Sequence, residues 1–144
     1  MNIEELAEVT PEVVDDVNSL LGQLVHDPST LAPVSAREVQ EIVDDAKTVV
    51  VVARDGGRVV GMGLLLVVTK FRGKYAYIED MVVDGSQRGK GVGTLVMQQL
   101  IASARARGIH TIELSTRPSR VAANELYKKL GFVQKETNVY RMTL

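Results

Sequence analysis

The chain has 144 residues, a formal net charge of -1 and 45% hydrophobic residues, the size and composition of one soluble globular domain. It contains no Cys and only two His. That removes a disulfide framework, a thiolate nucleophile and a Cys-based zinc or iron–sulfur site, and it argues against a His-rich metal centre, so no metal is expected. So balanced a charge also lacks the strong basic field that general nucleic-acid binding needs.

The N-terminus is acidic, with Glu4, Glu5 and Glu8 and no positive or apolar leader, so no secretory signal is expected and the cytosol is the default compartment. Asn2–Val9 reads as a first strand. Thr10 is a good N-cap and Pro11 suits the first turn of a helix reaching about Val25, with Val13, Val14, Val17, Leu20, Leu21 and Leu24 at helical spacing. Asp27, Pro28 and Pro33 mark a loop. Ser35 and Glu38 form a capping box for a second helix over Ala36–Ala46. Thr48–Arg54 is β-branched and apolar, a buried strand. Asp55-Gly56-Gly57 predicts a tight hairpin turn, Arg58–Thr69 its partner strand, Phe71–Lys74 a second turn and Tyr75–Val83 a third strand. The longest apolar runs, Thr48–Ala53 and Met62–Val68, fall far short of the roughly 20 residues that cross a bilayer, so no membrane association is expected.

Beyond Val83 the pattern changes. Asp84–Lys90 is a polar loop, and a helix with Val92, Leu95, Val96 and Leu100 on one face runs to about Arg107, with Gly108 at its C′ position. His110–Ser115 reads as a strand. A final helix opens at Pro118 with Ser119 as N-cap and ends at Leu130 before Gly131. Phe132–Gln134 and Thr137–Thr143 read as two closing strands. The whole is a single α/β domain: a mixed, mostly antiparallel sheet of about seven strands flanked by helices. Charge is divided unevenly along it. Residues 1–48 hold 11 acids and 2 bases, the remainder 7 acids and 15 bases. An acidic part suits a cationic acceptor and a basic part an anionic cofactor, unless both are merely solvated surface.

The segment Gln87-Arg88-Gly89-Lys90-Gly91-Val92-Gly93-Thr94 carries the chemistry. Its glycines alternate at a strand-to-helix junction, where a missing Cβ lets backbone approach a ligand. The first turn of a helix presents free N–H groups and the positive end of its dipole, which together favour a phosphate. Arg88 and Lys90 add charge. The Walker spacing fails, because three residues, not four, separate Gly85 from Gly89 and Gly91 follows Lys90. The dinucleotide fingerprint fails as well, because Thr94 or Val96 stands where its last glycine belongs.

What remains, Arg88-Gly89-Lys90-Gly91-Val92-Gly93, resembles the Arg-x-x-Gly-x-Gly pyrophosphate loop of the GCN5-related N-acetyltransferases. Ile78-Glu79-Asp80-Met81-Val82-Val83 resembles that family's acetyl-CoA strand. Leu126-Tyr127-Lys128-Lys129-Leu130-Gly131-Phe132 resembles its C-terminal motif. The likeness covers about residues 48–135, and residues 1–47 follow in outline. It implies an acetyl-CoA-dependent N-acetyltransferase acting on a primary amine. Gly89, Gly91 and Gly93, with Arg88, Lys90, Val92 and Thr94, would offer backbone N–H groups to the pyrophosphate. Met81, Val82 and Val83 would hold the pantetheine arm through their backbone while their side chains pack the core. Tyr127 would protonate the departing thiolate, a task that suits a phenol of pKa about 10. Asn124 is a candidate for the pantetheine. Many relatives carry their Asn one turn earlier, where this chain has Arg120, which could instead meet the 3′-phosphate of the cofactor.

The amine must lose a proton before attack, and Glu79 or Asp80 is the candidate base, with Glu79 favoured. Strict alternation puts Tyr75, Tyr77, Glu79 and Met81 on one face and Ala76, Ile78, Asp80 and Val82 on the other. With no thiol nucleophile and no Gly-x-Ser-x-Gly, direct attack in a ternary complex is expected. The acceptor is left open between an amino sugar, a polyamine and a lysine side chain. The strand Ile78-Glu79-Asp80 resembles that of glucosamine-phosphate acetyltransferases. Small relatives dimerise through C-terminal strands, so a homodimer is expected. A non-catalytic acyl-CoA-binding module of the same fold is the alternative.

Overall fold

The computed structural model describes all 144 residues. Elements follow in the order β1 (Asn2–Glu5), α1 (Pro11–Leu24), α2 (Ala36–Asp44), β2 (Thr48–Asp55), β3 (Arg58–Lys70), β4 (Gly73–Val83), α3 (Val92–Ala106), β5 (Ile112–Leu114) and α4 (Val121–Lys129). Local chemistry explains most of the boundaries. The Thr10 hydroxyl accepts from the Val13 N–H at 3.3 Å and opens α1. Ser35 and Glu38 close a reciprocal capping box at α2, 3.2 and 2.7 Å long. The β2–β3 hairpin turns on Gly56 (φ 55°) and Gly57 (φ 86°), two left-handed positions in succession that glycine fills without strain.

The five strands lie in the order β1-β2-β3-β4-β5. The first three pairings are antiparallel, and β4 runs parallel to β5. Each face of the sheet buries its own apolar set. On one side Leu6, Val13, Val17 and Leu20 meet Val50, Val52, Val59, Met62 and Val82. On the other Val96, Met97, Leu100 and Tyr127 meet Val49, Val51, Leu65, Ala76, Ile78 and Met81. Helix α1 therefore covers one face, and α3 with α4 the other.

Two polar clusters fasten these layers. Asp16 on α1, only 3% exposed, accepts from Arg58 Nε at 2.7 Å, from Arg58 Nη2, and from the Val59 N–H at 2.8 Å. Burial opposes its charge, but these hydrogen bonds and the guanidinium prevail and hold the carboxyl below the ordinary aspartate value. Glu5 of β1 accepts from the Ser103 hydroxyl at 2.6 Å and from Arg107 at 3.2 Å, tying the edge strand to α3.

The sheet has five strands rather than seven. Phe132–Gln134 and Thr137–Thr143 are not strands. After Phe132 the chain passes beside β5 through one ion pair, Lys135 to Glu113 at 3.2 Å, and continues without pairing. Val133, Val139, Tyr140, Met142 and Leu144 all remain exposed. The alternation there is real, but a strand also needs a partner edge, and within this chain none is engaged. The first strand stops at Glu5, and β5 shrinks to three residues. Arg120, not Ser119, is the N-cap of α4, and it makes no side-chain capping bond. No helix is long and apolar enough to cross a membrane.

Candidate active site

The site is built where β4 and β5 part. Their parallel pairing covers only Ala76–Ile78 against Ile112–Leu114. Beyond Ile78 the β5-facing edge of β4 has no strand beside it, so the backbone of residues 79–83 borders a wedge open to an extended ligand. A bulge marks the start of this stretch. Met62 faces Val82 and Leu64 faces Glu79, so Asp80 and Met81 together oppose Gly63. Asp80 takes φ 50°, the one non-glycine residue with positive φ. Gly63 leaves no room for a side chain: a Cβ there would come 2.8 Å from Leu100 Cδ1 and 3.2 Å from Met81 Sδ.

The bulge overturns strict alternation along β4. Met81 joins Ala76 and Ile78 on the α3 face, while Val82 packs on the α1 face. Glu79 stands opposite Leu64, with Tyr75 and Tyr77 along the same face. Glu79 and Asp80 both reach solvent at the bulge. Desolvation by surrounding protein raises the carboxyl of Asp80 above its usual value. It raises Glu79 as well, and there the negative charge of Asp80 adds to the effect. A pair of carboxylates lifted in this way is suited to accepting a proton nearer neutrality.

The turn from β4 into α3 is held open from two sides. Gln23, in the last turn of α1, donates to Asp84 at 2.9 Å and accepts from the Gly85 N–H at 2.9 Å. The hydroxyl and N–H of Ser86 also bind Asp84. Those bonds, with Gln23 and the nearby Arg88 charge, pull its carboxyl down to about 2. Gly89 (φ 75°) and Gly91 (φ 81°) then reverse the chain, and Gly91 caps α3 without a side-chain bond. Leu95 is the first residue of this run whose N–H is taken up, by Gly91 at 3.1 Å. None of the backbone N–H groups from Gly89 to Thr94 donates to the protein. Gly93 serves packing: a Cβ there would lie 3.3 Å from Leu126 and 3.6 Å from Val83.

Tyr127 projects from α4 into the core and is 7% exposed. Its ring meets Phe132 edge-on, centroids 6.0 Å apart. Burial raises the phenol pKa, and the positive charge of Arg120 partly offsets it. The hydroxyl has no protein partner yet is not sealed from solvent, so it is free to face a ligand. Met81 and Val82 are buried and Val83 half-buried, as core side chains should be. Asn124 is otherwise engaged: its amide nitrogen donates to the carbonyls of Arg117 at 3.1 Å and Arg120 at 2.9 Å, pinning the loop before α4. Arg88 and Lys90 are exposed at the turn; Arg88 lies 3.4 Å from the Val83 carbonyl and Lys90 3.3 Å from Gln87.

Six free N–H groups, two left-handed glycines and two basic side chains beside an unpaired strand edge fit a diphosphate followed by an extended arm. Known proteins agree. The sequence profile of the acetyltransferase (GNAT) family matches residues 17–132. Glucosamine 6-phosphate N-acetyltransferase 1 of Oryza sativa subsp. japonica is 32% identical over 126 residues, covering 83% of this chain and 74% of that protein. A glucosamine 6-phosphate N-acetyltransferase of Trypanosoma brucei brucei is 34% identical over 78% of each chain. The crystal structure of glucosamine-6-phosphate N-acetyltransferase from Arabidopsis thaliana superposes with a TM-score of 0.81 at 25% identity, over 98% of this chain and 97% of that one. The chain belongs to the GNAT acetyltransferase family, whose members use acetyl-CoA, and it is an acyltransferase of the N-acetyltransferase class.

Proposed function

We propose that this protein transfers the acetyl group of acetyl-CoA to the primary amine of an amino sugar. The observation that carries the reading is the run of free N–H groups from Gly89 to Thr94 beside the open edge of β4, with the Tyr127 hydroxyl unpartnered nearby. The turn, with Arg88 and Lys90, takes the pyrophosphate. The backbone of Met81, Val82 and Val83 takes the pantetheine arm, and Oδ1 of Asn124, whose amide nitrogen is spent on the loop before α4, serves as an acceptor for it. Acceptor and donor are bound together, so much of the acceleration is proximity, worth about 7–11 kcal/mol.

In the transfer, a proton leaves the ammonium group for the Glu79 carboxylate, with Asp80 beside it, directly or through one water. The amine then attacks the thioester carbonyl, polarised by a backbone N–H of β4. The new C–N bond forms as the C–S bond breaks, the electron pair of the C–S bond stays on sulfur, and the second proton of the attacking nitrogen leaves to water. Tyr127 gives its proton to that sulfur, and solvent restores both side chains. The products are an N-acetyl amide and the free thiol.

The amino-sugar acceptor is supported by the relatives named above. The test is a thiol-release assay with acetyl-CoA and a panel of glucosamine 6-phosphate, spermidine and a lysine peptide. Release with the sugar phosphate supports the proposal, and release only with the polyamine or the peptide contradicts its acceptor. We also assign the exposed apolar side chains of the C-terminal arm, Val139, Tyr140, Met142 and Leu144, and the free outer edge of β5 to a homodimer interface, with Arg141 between them left turned to the protein's own cleft. Sedimentation at 15.7 kDa at every concentration would refute that assignment.

A further inference from the structure

Where the end of α1 meets the loop that follows β5 lies a cleft of about 360 Å³ lined by Leu24, Val25, Ser115, Thr116, Arg117, Arg120 and Arg141. Three separate parts of the chain meet there: the end of α1, the loop between β5 and α4, and the C-terminal arm. No carboxylate lines the cleft. Elsewhere Arg37, Arg54, Arg58 and Arg107 are each paired with an acid, while the exposed Arg72, in the β3–β4 turn, and Arg105, on α3, stand singly. The guanidiniums of Arg117, Arg120 and Arg141 make neither an ion pair nor a hydrogen bond. Converging three unneutralised cations is unfavourable unless an anion joins them. In the same wall, the hydroxyl oxygen of Thr116 is buried with no hydrogen-bond partner, the single such side-chain atom in the protein. Thr116 is itself a lining residue of the cleft, and its hydroxyl has a donor to spare that a small rotation would offer to a bound anion.

We propose that this cleft is a binding site for a phosphate monoester carried by the amine acceptor, held by Arg117, Arg120 and Arg141 with hydroxyl donors from Ser115 and Thr116. Planar guanidiniums match phosphate oxygens in pairs, which a lysine cannot do. The position suits the acceptor. Arg120 and Tyr127 lie on one face of α4, seven residues apart, about 10 Å along the axis, comparable with a hexose and its phosphate. Arg120 is close enough for its charge to act on the Tyr127 phenol. Asn124, between them, is a positioning residue that fixes the loop bearing Arg117 and Arg120. A polyamine or a lysine side chain would meet repulsion here, so the acidity of residues 1–48 does not describe this end of the site. The inference rests on the amine-acetylation reading, and it names the acceptor's second recognition element.

The test compares the protein with Arg117→Gln and Arg141→Gln, sparing Arg120 because it faces the catalytic phenol. Calorimetry with glucosamine 6-phosphate and with glucosamine reads binding without turnover. Steady-state kinetics with the same two sugars reads KM. Calorimetry with coenzyme A and with dephospho-coenzyme A reads the other phosphate that could reach the cleft. The expected result is at least a tenfold loss of affinity for the phosphorylated sugar in each variant. Its advantage over glucosamine should shrink by the same factor, while coenzyme A affinity stays unchanged. Arginine-dependent binding of the sugar phosphate without its acetylation would leave the anion site standing and sink the acceptor proposed above. Acetylation of the sugar phosphate with KM unchanged in both variants would overturn the anion site and leave that acceptor standing. Variants that weaken coenzyme A but not dephospho-coenzyme A would assign the cleft to the donor's 3′-phosphate and overturn the proposal.

Discussion

The Tyr127→Phe substitution removes one oxygen from a side chain that is held in the core by its ring. The ring, 7% exposed, keeps its edge-on contact with Phe132 and its place against Ile78 and Met81. The lost hydroxyl has no hydrogen bond to the protein, so the expected change in unfolding free energy is within about 0.5 kcal/mol. Tyr127→Ala, by contrast, empties an aromatic site in the core and should cost about 3–5 kcal/mol. The general-acid role proposed for Tyr127 is worth roughly 10²–10⁴-fold in rate, or about 2.7–5.4 kcal/mol of barrier. Stability and chemistry are therefore separable in the Phe variant. Urea unfolding, calorimetry with coenzyme A and a thiol-release assay read the three quantities independently. The predicted result is intact stability, intact coenzyme A affinity and kcat lower by about two orders of magnitude or more. A kcat within about threefold of the parent would refute the acid role, because a general acid is worth far more than that.

Three further outcomes follow from the same structure. The base role proposed for Glu79 requires the ionised carboxylate, so kcat/KM for the amine should fall as pH drops through its raised pKa. Glu79→Gln should abolish that acid limb, and Asp80→Asn, which removes a neighbouring negative charge, should move it to lower pH. An acid limb that survives Glu79→Gln would reassign the base. Asp16→Ala strips Arg58 and the buried Val59 N–H of their acceptor, at a cost of about 2–3 kcal/mol by urea unfolding at pH 7. Because the Asp16 carboxyl is held below its ordinary value, that stabilisation is complete above the unfolded aspartate pKa of about 3.9. It is lost as pH falls through the folded value, so the difference between the two proteins should narrow in acid. Gly91→Ala meets no neighbouring atom but must hold φ at 81°, a strain of about 1–2 kcal/mol; calorimetry should show weaker coenzyme A binding together with a modest fall in Tm.

Much of the fold is legible in local chemistry. Thr10, the Ser35–Glu38 box and Gly56-Gly57 act within a few residues, so their consequences could be read along the chain. The glycine turn at Gly89 and Gly91 was legible for the same reason. The bulge at Asp80 was not, because alternation alone carries no sign of an extra residue. Its clue lay across the sheet in Gly63, a small residue inside an apolar strand, where a bulge or close backbone approach is to be expected. The C-terminal segment alternates like a strand, but pairing depends on an edge that its own chain does not engage. Arg117 and Arg141 were visible only as part of a basic half. Their convergence with Arg120 depends on where α1 ends and how the arm returns, which no local pattern encodes. Asn124 drew attention for its type, yet the fold spends its amide on two carbonyls.

The claim beneath all of this is that the backbone N–H groups of residues 89–94 grip a diphosphate. A ¹⁵N-resolved titration with acetyl-CoA observes those amides one by one. The account predicts saturable shifts largest at Gly89 through Thr94 and along residues 79–83. Saturation elsewhere with these amides unmoved, or no saturation at millimolar donor, would contradict it.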